Sequence, residues 1–146
     1  MTNLFIASKN THKIAKITEI FQDKFETIKS LNDIDGVVEI EENGNTFTEN
    51  AKIKAIELSK TFDGYVIATD GGAVMPALKE IWNPLFTKRF AGKNKTDEDR
   101  VNAMIDLMKG KTDRRIWFIE TFVICKSGEV IFETETHSPI GQIVEK

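Results

Sequence analysis

The chain has 146 residues, 40% of them hydrophobic, which is enough apolar material for one folded domain over residues 1–146. A net charge of −3 without a long basic run argues against a nucleic-acid-binding surface, and no apolar run is long enough to span a membrane. Cys125 is the single cysteine, so no intrachain disulfide is expected, and no signal-peptide pattern opens the chain. These features favour a cytoplasmic protein.

The first quarter of the chain predicts a strand, a helix and two short strands. An apolar run predicts a strand over about residues 3–8. A helix over about 12–24 follows from helical spacing of apolar residues, namely Ile14, Ile17, Ile20 and Phe21. Residues 27–31 and 37–40 are short enough and apolar enough to be strands.

A polar turn, Ser8-Lys9-Asn10-Thr11-His12-Lys13, joins the first strand to the first helix. Backbone N–H groups at a helix start, together with the helix dipole, favour an anion there. Lys13 adds a full positive charge, so a phosphate would fit. The turn lacks the glycines of a P-loop, and an ordinary capped helix with a solvated lysine explains it equally well.

A second helix is predicted from Thr46 to about residue 62, with Glu49 completing a capping box. Its apolar face holds Phe47, Ala51, Ala55 and Leu58. Lys54 lies beside this stripe rather than opposite it, so its side chain must reach for solvent or meet an anion. Glu42 belongs to an acidic loop just before the helix.

A buried strand is predicted over residues 65–68, and it runs into Asp70-Gly71-Gly72. We expect these three residues to form a turn or loop beyond the strand end. Ligands of open α/β sheets favour such loops. Asp70 would hold a divalent metal or accept a proton there, while glycine lets a ligand approach the backbone closely.

The remaining chain predicts an irregular stretch at 79–95, a helix capped by Thr96 and Asp99, and a hairpin of strands at 116–125 and 129–136. The third helix's apolar side holds Val101, Met104, Ile105 and Met108. Because helices and strands alternate, the predicted fold class is α/β, with a mixed, elongated sheet and flanking helices.

Together the three polar segments suggest metal-assisted phosphoanhydride chemistry. Asn10, Lys13 and Lys54 would bind the phosphates of a substrate, and Ser8 and Gly71 are further candidates for the same role. Glu42 and Asp70 would hold Mg²⁺, which prefers oxygen ligands and combines a few carboxylates with phosphates and water. Asp70 would also orient or deprotonate the attacking water.

The order of these segments resembles the inosine triphosphate pyrophosphatase family over essentially the whole chain. The family's opening [T/S]-x-N-x-x-K is matched by Ser8, Asn10 and Lys13, and its E-x-x-x-T-F-x-E-N-A-x-x-K runs from Glu42 to Lys54. Its A-D-D-S-G-L aligns with residues 68–73, and S-A-R-Y-A-G with residues 87–92. The resemblance implies Mg²⁺-dependent hydrolysis of a deaminated-purine nucleoside triphosphate by a homodimer.

Two departures from the family pattern bear on function. Thr69 replaces the first aspartate of A-D-D-S-G-L, and Gly71 replaces its serine, while the general-base position is kept as Asp70. The family's G-F-G-Y-D-P-x-F and S-H-R motifs, which hold the base, do not occur in this sequence. We therefore expect relaxed or altered base selectivity. The alternatives are a nucleotide-binding homologue without turnover and a hydrolase of another phosphate ester.

Overall fold

The computed structural model describes residues 2–34, 44–78 and 96–144. The predicted strand at 37–40 and the whole irregular stretch at 79–95 lie outside the described residues. The α-helices are α1 (Thr11–Phe21), α2 (Phe47–Ser59) and α3 (Asp97–Leu107). The strands are β1 (Asn3–Ile6), β2 (Thr27–Ser30), β3 (Tyr65–Val74), β4 (Arg115–Lys126), β5 (Glu129–His137) and β6 (Gly141–Gln142).

The six described strands form one mixed sheet in the order β2-β1-β3-β4-β5, with β6 paired to β4. β1 is parallel to both neighbours: Leu4 lies opposite Ile28 of β2 and Tyr65 of β3. β6 is antiparallel to the start of β4. This sheet with its helices confirms the predicted α/β fold class.

The described chain divides into two compact units, and the first comprises residues 1–70 and 121–135. Its core has two layers, because alternate residues of β1 and β3 point to opposite faces. Leu4, Ile6 and Ile67 pack with Ile17 of α1. The other layer contains Phe5, Ala7, Val66, Ala68, Val123 and Cys125 with Ala51 and Ala55 of α2. Helices α1 and α2 therefore cover opposite faces of the first unit's strands.

The second unit comprises residues 71–120 and 136–146 and has its own small core. Ala73, Met75, Leu78 and Met108 are buried together there. Arg114 ties this unit together: its Nη1 donates to the Met108 carbonyl at 2.6 Å and its Nε to the Ile143 carbonyl at 2.8 Å. The prediction of a single domain over residues 1–146 stays a prediction.

The predicted end of the third strand is wrong. β3 continues through Asp70-Gly71-Gly72 to Val74 instead of turning after residue 68. The neighbouring strand β4 is twelve residues long and offers a partner backbone well past Ala68. Pairing with a neighbour overrides the weak strand propensity of glycine, so Asp70 lies within a strand.

Three smaller expectations also need correction. Ile20 and Val101 are 59% and 52% exposed, so the apolar stripes of α1 and α3 are narrower than predicted. At the start of α2, Thr46 accepts a hydrogen bond from the Glu49 amide as expected. The Glu49 carboxylate, however, accepts from the Asn45 amide, one residue before the cap. The capping box of α3 is complete, as predicted.

The hairpin between β4 and β5 is confirmed. Its loop consists of Ser127 and Gly128, both with positive φ (54° and 83°). Two successive positive φ values define the type I′ turn that suits the twist of antiparallel strands.

Among the described residues, no helix is long and apolar enough to cross a membrane.

Candidate functional site

The polar turn before α1 is built around Asn10, which caps the helix. The Asn10 Oδ1 accepts hydrogen bonds from the amides of His12 (3.0 Å) and Lys13 (3.2 Å). The backbone N–H of Asn10 in turn donates to the Ser8 hydroxyl oxygen at 3.1 Å. The carbonyl oxygen of the Asn10 side chain thus satisfies the helix amides that were expected to face an anion. Contact between Asn10 and a phosphate is left to its Nδ2 group.

The start of α2 is fastened to the two residues that precede its cap. Asn50 is buried (5% exposed), and its Oδ1 accepts from the Gly44 amide at 2.8 Å. A Cβ on Gly44 would lie 2.6 Å from the Glu49 Cβ and 2.8 Å from the Asn50 Oδ1, so only glycine fits without displacement. This fixes the chain where the acidic loop joins α2. Glu42 itself lies outside the described residues.

Lys13 and Lys54 meet at one residue, Thr69. The Lys13 Nζ, from α1, donates to the Thr69 hydroxyl oxygen at 3.4 Å. The Lys54 Nζ, from α2, donates to the Thr69 carbonyl at 2.9 Å. The two helices cover opposite faces of the strands in this unit, so the lysines reach the same point of β3 from opposite sides. Two ammonium groups that donate to the same residue are suited to bind an anionic ligand.

Asp70 directly follows the residue at which the lysines meet. Its side chain is half-buried. The structure therefore brings three of the predicted site residues, Lys13, Lys54 and Asp70, to one stretch of β3. Their assigned roles stay predictions.

Gly71 is tightly packed for a reason other than ligand approach. A Cβ there would overlap the Ile119 carbonyl oxygen of β4 and lie 2.7 Å from the Glu120 Oε2. The missing side chain thus accommodates β4 and the Glu120 carboxylate. The predicted contact between Gly71 and a phosphate stays a prediction.

Sequence reasoning did not identify two residues that organise this site. Thr69 was noted only as a departure from the family pattern, although it accepts hydrogen bonds from both lysines. Asn50 was noted only as a motif position. The available signals were a polar residue at 69 ending an apolar run and a polar residue at 50 on the apolar stripe of α2. Both positions are buried polar groups and therefore need partners.

Solved structures of similar fold include a HAM1 protein from Coxiella burnetii, with a TM-score of 0.81 and 28% identity. That match covers 100% of this chain and 75% of the other. The Staphylococcus aureus Ham1 protein gives a TM-score of 0.79 at 27% identity, covering 99% of this chain and 73% of the other. Both structures carry the fold described above.

Curated relatives include a dITP/XTP pyrophosphatase of Bacillus licheniformis, 35% identical over 139 residues, which are 93% of this chain and 68% of that protein. The Bacillus anthracis protein of the same name is 36% identical over 106 residues, covering 72% of this chain and 52% of that protein. The chain spans about half the length of several curated relatives that it matches. The Ham1 family model matches residues 4–146. The chain therefore belongs to the Ham1 family, which confirms the relationship that the motifs predicted.

Proposed function

We propose that this protein hydrolyses a nucleoside triphosphate with an inosine- or xanthosine-type base to the monophosphate and pyrophosphate. The observation that carries the proposal is the meeting of Lys13 and Lys54 at Thr69, directly before Asp70. Two cations can bind the phosphates of a phosphoanhydride, and a neighbouring carboxylate can act on the attacking water. The relatives named dITP/XTP pyrophosphatase suggest the substrate class.

In this proposal the two lysines bind substrate phosphates. Ammonium groups neutralise negative charge on the phosphates, and they stabilise the charge that develops on the leaving pyrophosphate. Ser8 and Asn10, at the start of α1, would add hydrogen bonds from the hydroxyl and the Nδ2 group. Asp70 would orient the attacking water and accept its proton, a role typical of a carboxylate beside the reacting bond.

Mg²⁺ is the proposed cofactor, with Asp70 and Glu42 as its ligands. Among the described residues, no three His, Cys, Asp or Glu side chains come together as a ready-made metal site. Mg²⁺ is usually held by one or two carboxylates and completed by substrate phosphates and water. When bound, the ion would neutralise phosphate charge and lower the pKa of a bound water.

The experiment that tests this proposal is a hydrolysis panel on the full chain. Inosine, xanthosine and guanosine triphosphates and a simple phosphate ester are each assayed for released pyrophosphate and phosphate, with Mg²⁺ and with a chelator. We expect Mg²⁺-dependent release of pyrophosphate from a triphosphate. The ratio of kcat/KM between inosine and guanosine triphosphates measures base selectivity directly.

The other readings are outcomes of the same panel. Phosphate release from the ester alone would replace the proposal with a phosphatase. Triphosphate binding without any turnover would leave a nucleotide-binding homologue. Asp70→Asn is the matched variant, because it keeps the side-chain shape and removes the base. We expect it to lower kcat by ~10²–10⁴-fold, and near-normal turnover would refute the role of Asp70.

We also propose a homodimer, as the family resemblance implies, and a cytoplasmic location. Ile131 and Phe132 on β5 are each 53% exposed, and exposed apolar side chains of this size are common in protein interfaces. Sedimentation equilibrium decides between a mass near the 16.5 kDa of one chain and twice that value.

A further inference from the structure

Thr69 has a polar group that the interactions described so far do not fully use. The residue is 96% buried, because its exposed fraction is 4%. Among the described residues, its hydroxyl makes one hydrogen bond, and it does so as the acceptor from Lys13. A hydroxyl carries one proton to donate in addition to its acceptor sites. A buried donor without an acceptor is costly, so a ligand atom is the natural partner for this proton.

The surroundings of the Thr69 hydroxyl select an anion as that partner. The Lys13 ammonium lies 3.4 Å from the hydroxyl oxygen, and the Lys54 ammonium binds the carbonyl of the same residue. A neutral donor or a cation would be disfavoured beside two positive charges, whereas a phosphate oxygen is an acceptor and carries negative charge.

We propose that Thr69 is a substrate-binding residue in its own right. Its hydroxyl accepts from Lys13 and donates its proton to a phosphate oxygen of a di- or triphosphate. Thr69 thereby holds the two lysines and binds the anion that they attract. This inference rests on the anion site of the proposed function but does not depend on turnover.

The identity of residue 69 also sets the charge of the site. A carboxylate accepts hydrogen bonds but cannot donate when ionised, and it would pair with the Lys13 ammonium. Threonine accepts from the same ammonium without bringing a negative charge of its own. A site with threonine here should therefore bind a phosphate chain without metal better than one with aspartate.

The test is calorimetric titration of the full chain with inorganic pyrophosphate in the presence of a chelator. Thr69→Val removes the hydroxyl at nearly constant volume, and we expect its Kd to rise about tenfold, as for the loss of a hydrogen bond to a charged group. Thr69→Ser keeps the donor and should stay within roughly twofold of the original Kd. Thr69→Asp should raise the Kd more than Thr69→Val does.

Thr121→Val is the matched control. Thr121 is a fully buried threonine of the same unit, and its hydroxyl donates to the Thr134 carbonyl at 3.0 Å. Removing the Thr121 hydroxyl should lower the stability of the fold and leave the Kd for pyrophosphate unchanged. If Thr69→Val does not fold, the comparison of Thr69→Asn with Thr69→Asp replaces it, because asparagine is neutral and can donate.

Three results would overturn the inference: no pyrophosphate binding by the unmodified chain, an unchanged Kd in Thr69→Val, or an equal rise in Thr121→Val. Failure of the hydrolysis panel with this binding pattern intact would remove the proposed turnover and leave the anion site standing. Hydrolysis by the unmodified chain together with an unchanged Kd in Thr69→Val would support the proposed turnover and remove Thr69 from the binding site.

Discussion

At the scale of single residues, the lysines at Thr69 carry the most specific expectation. Lys13→Met and Lys54→Met each keep most of the aliphatic stem and remove the ammonium group. We expect each to raise KM for the triphosphate about tenfold, since a hydrogen bond to a charged ligand is lost. In the double variant, KM should rise by less than the product of the two single-variant increases, because both lysines act through Thr69.

The control for this pair is Lys16→Met, which removes an exposed lysine from the same helix as Lys13. Its KM should equal that of the unmodified chain. The test is KM from steady-state kinetics at fixed Mg²⁺. The shared site would be contradicted if the KM increases of Lys13→Met and Lys54→Met multiplied in the double variant. It would also be contradicted if Lys16→Met raised KM as much as either of them.

Cys125 provides a pH-dependent prediction. The thiol is fully buried in the core beneath α2, and burial raises its pKa above the ordinary value of 9.0, opposed by the nearby charge of Lys52. In the unfolded chain the thiol ionises at its ordinary pKa. Its contribution to stability is therefore fully present below pH 9.0 and is lost as the pH rises above that value.

Urea unfolding of the original chain and of Cys125→Ala at neutral pH and near pH 10 measures this contribution. The original chain should lose more free energy of unfolding between the two conditions than Cys125→Ala, which has no thiol to ionise. Equal losses would show that the thiol of Cys125 does not respond to its burial. The comparison removes alkaline effects that both proteins share.

At the scale of elements, β3 shows what sequence reasoning found and what it missed. The apolar run predicted the strand up to residue 68, because burial on both faces leaves a clear pattern in the sequence. The continuation through Asp70-Gly71-Gly72 depends on a partner strand that begins at Arg115, 41 residues after the end of β3 at Val74. No local pattern contains that information, and glycine by itself indicates a turn.

The helix starts also separate what local sequence predicts from what depends on distant contacts. The caps at Thr46 and Thr96 were predictable, because a capping side chain binds amides within its own turn. The convergence of Lys13 and Lys54 was predicted only as a shared site. Their actual meeting point, Thr69, depends on how two helices from different parts of the chain pack against β3.

Gly71 gives an element-scale prediction about β3 and β4. Gly71→Ala would push a Cβ into the Ile119 carbonyl, which belongs to a backbone and has little room to move. We expect a loss of about 1–3 kcal/mol in the free energy of unfolding, the usual range for overpacking. Thermal or urea unfolding measures it.

Gly141→Ala is the matched control, because Gly141 also lies in a strand beside β4. A Cβ there would be 3.7 Å from the Ile116 carbonyl oxygen, an ordinary contact. Its stability should change by less than about 0.5 kcal/mol. An equally small effect of Gly71→Ala would mean that β4 can withdraw from β3 at this point.

At the scale of the whole molecule, ligand binding should appear as a gain in thermal stability. A ligand that binds only the folded chain stabilises it by about 2.7 kcal/mol at a concentration of 100 Kd. For a chain of this length, that gain corresponds to a rise in Tm of roughly 5–10 °C. Inorganic pyrophosphate is the probe, since it contains the phosphates without the base or the bond to be hydrolysed.

The same measurement separates the contributions of the lysines and of the metal. Without Mg²⁺, pyrophosphate should raise the Tm of the original chain and of Asp70→Asn alike, because Asp70 is proposed to bind the metal and not the phosphates. Added Mg²⁺ should increase the shift further in the original chain but much less in Asp70→Asn, which has lost a proposed metal ligand. The double Lys13→Met, Lys54→Met variant should show little shift in either condition. An undiminished shift in that variant would place the pyrophosphate elsewhere on the molecule, and an equal response of Asp70→Asn to Mg²⁺ would remove Asp70 from the metal site.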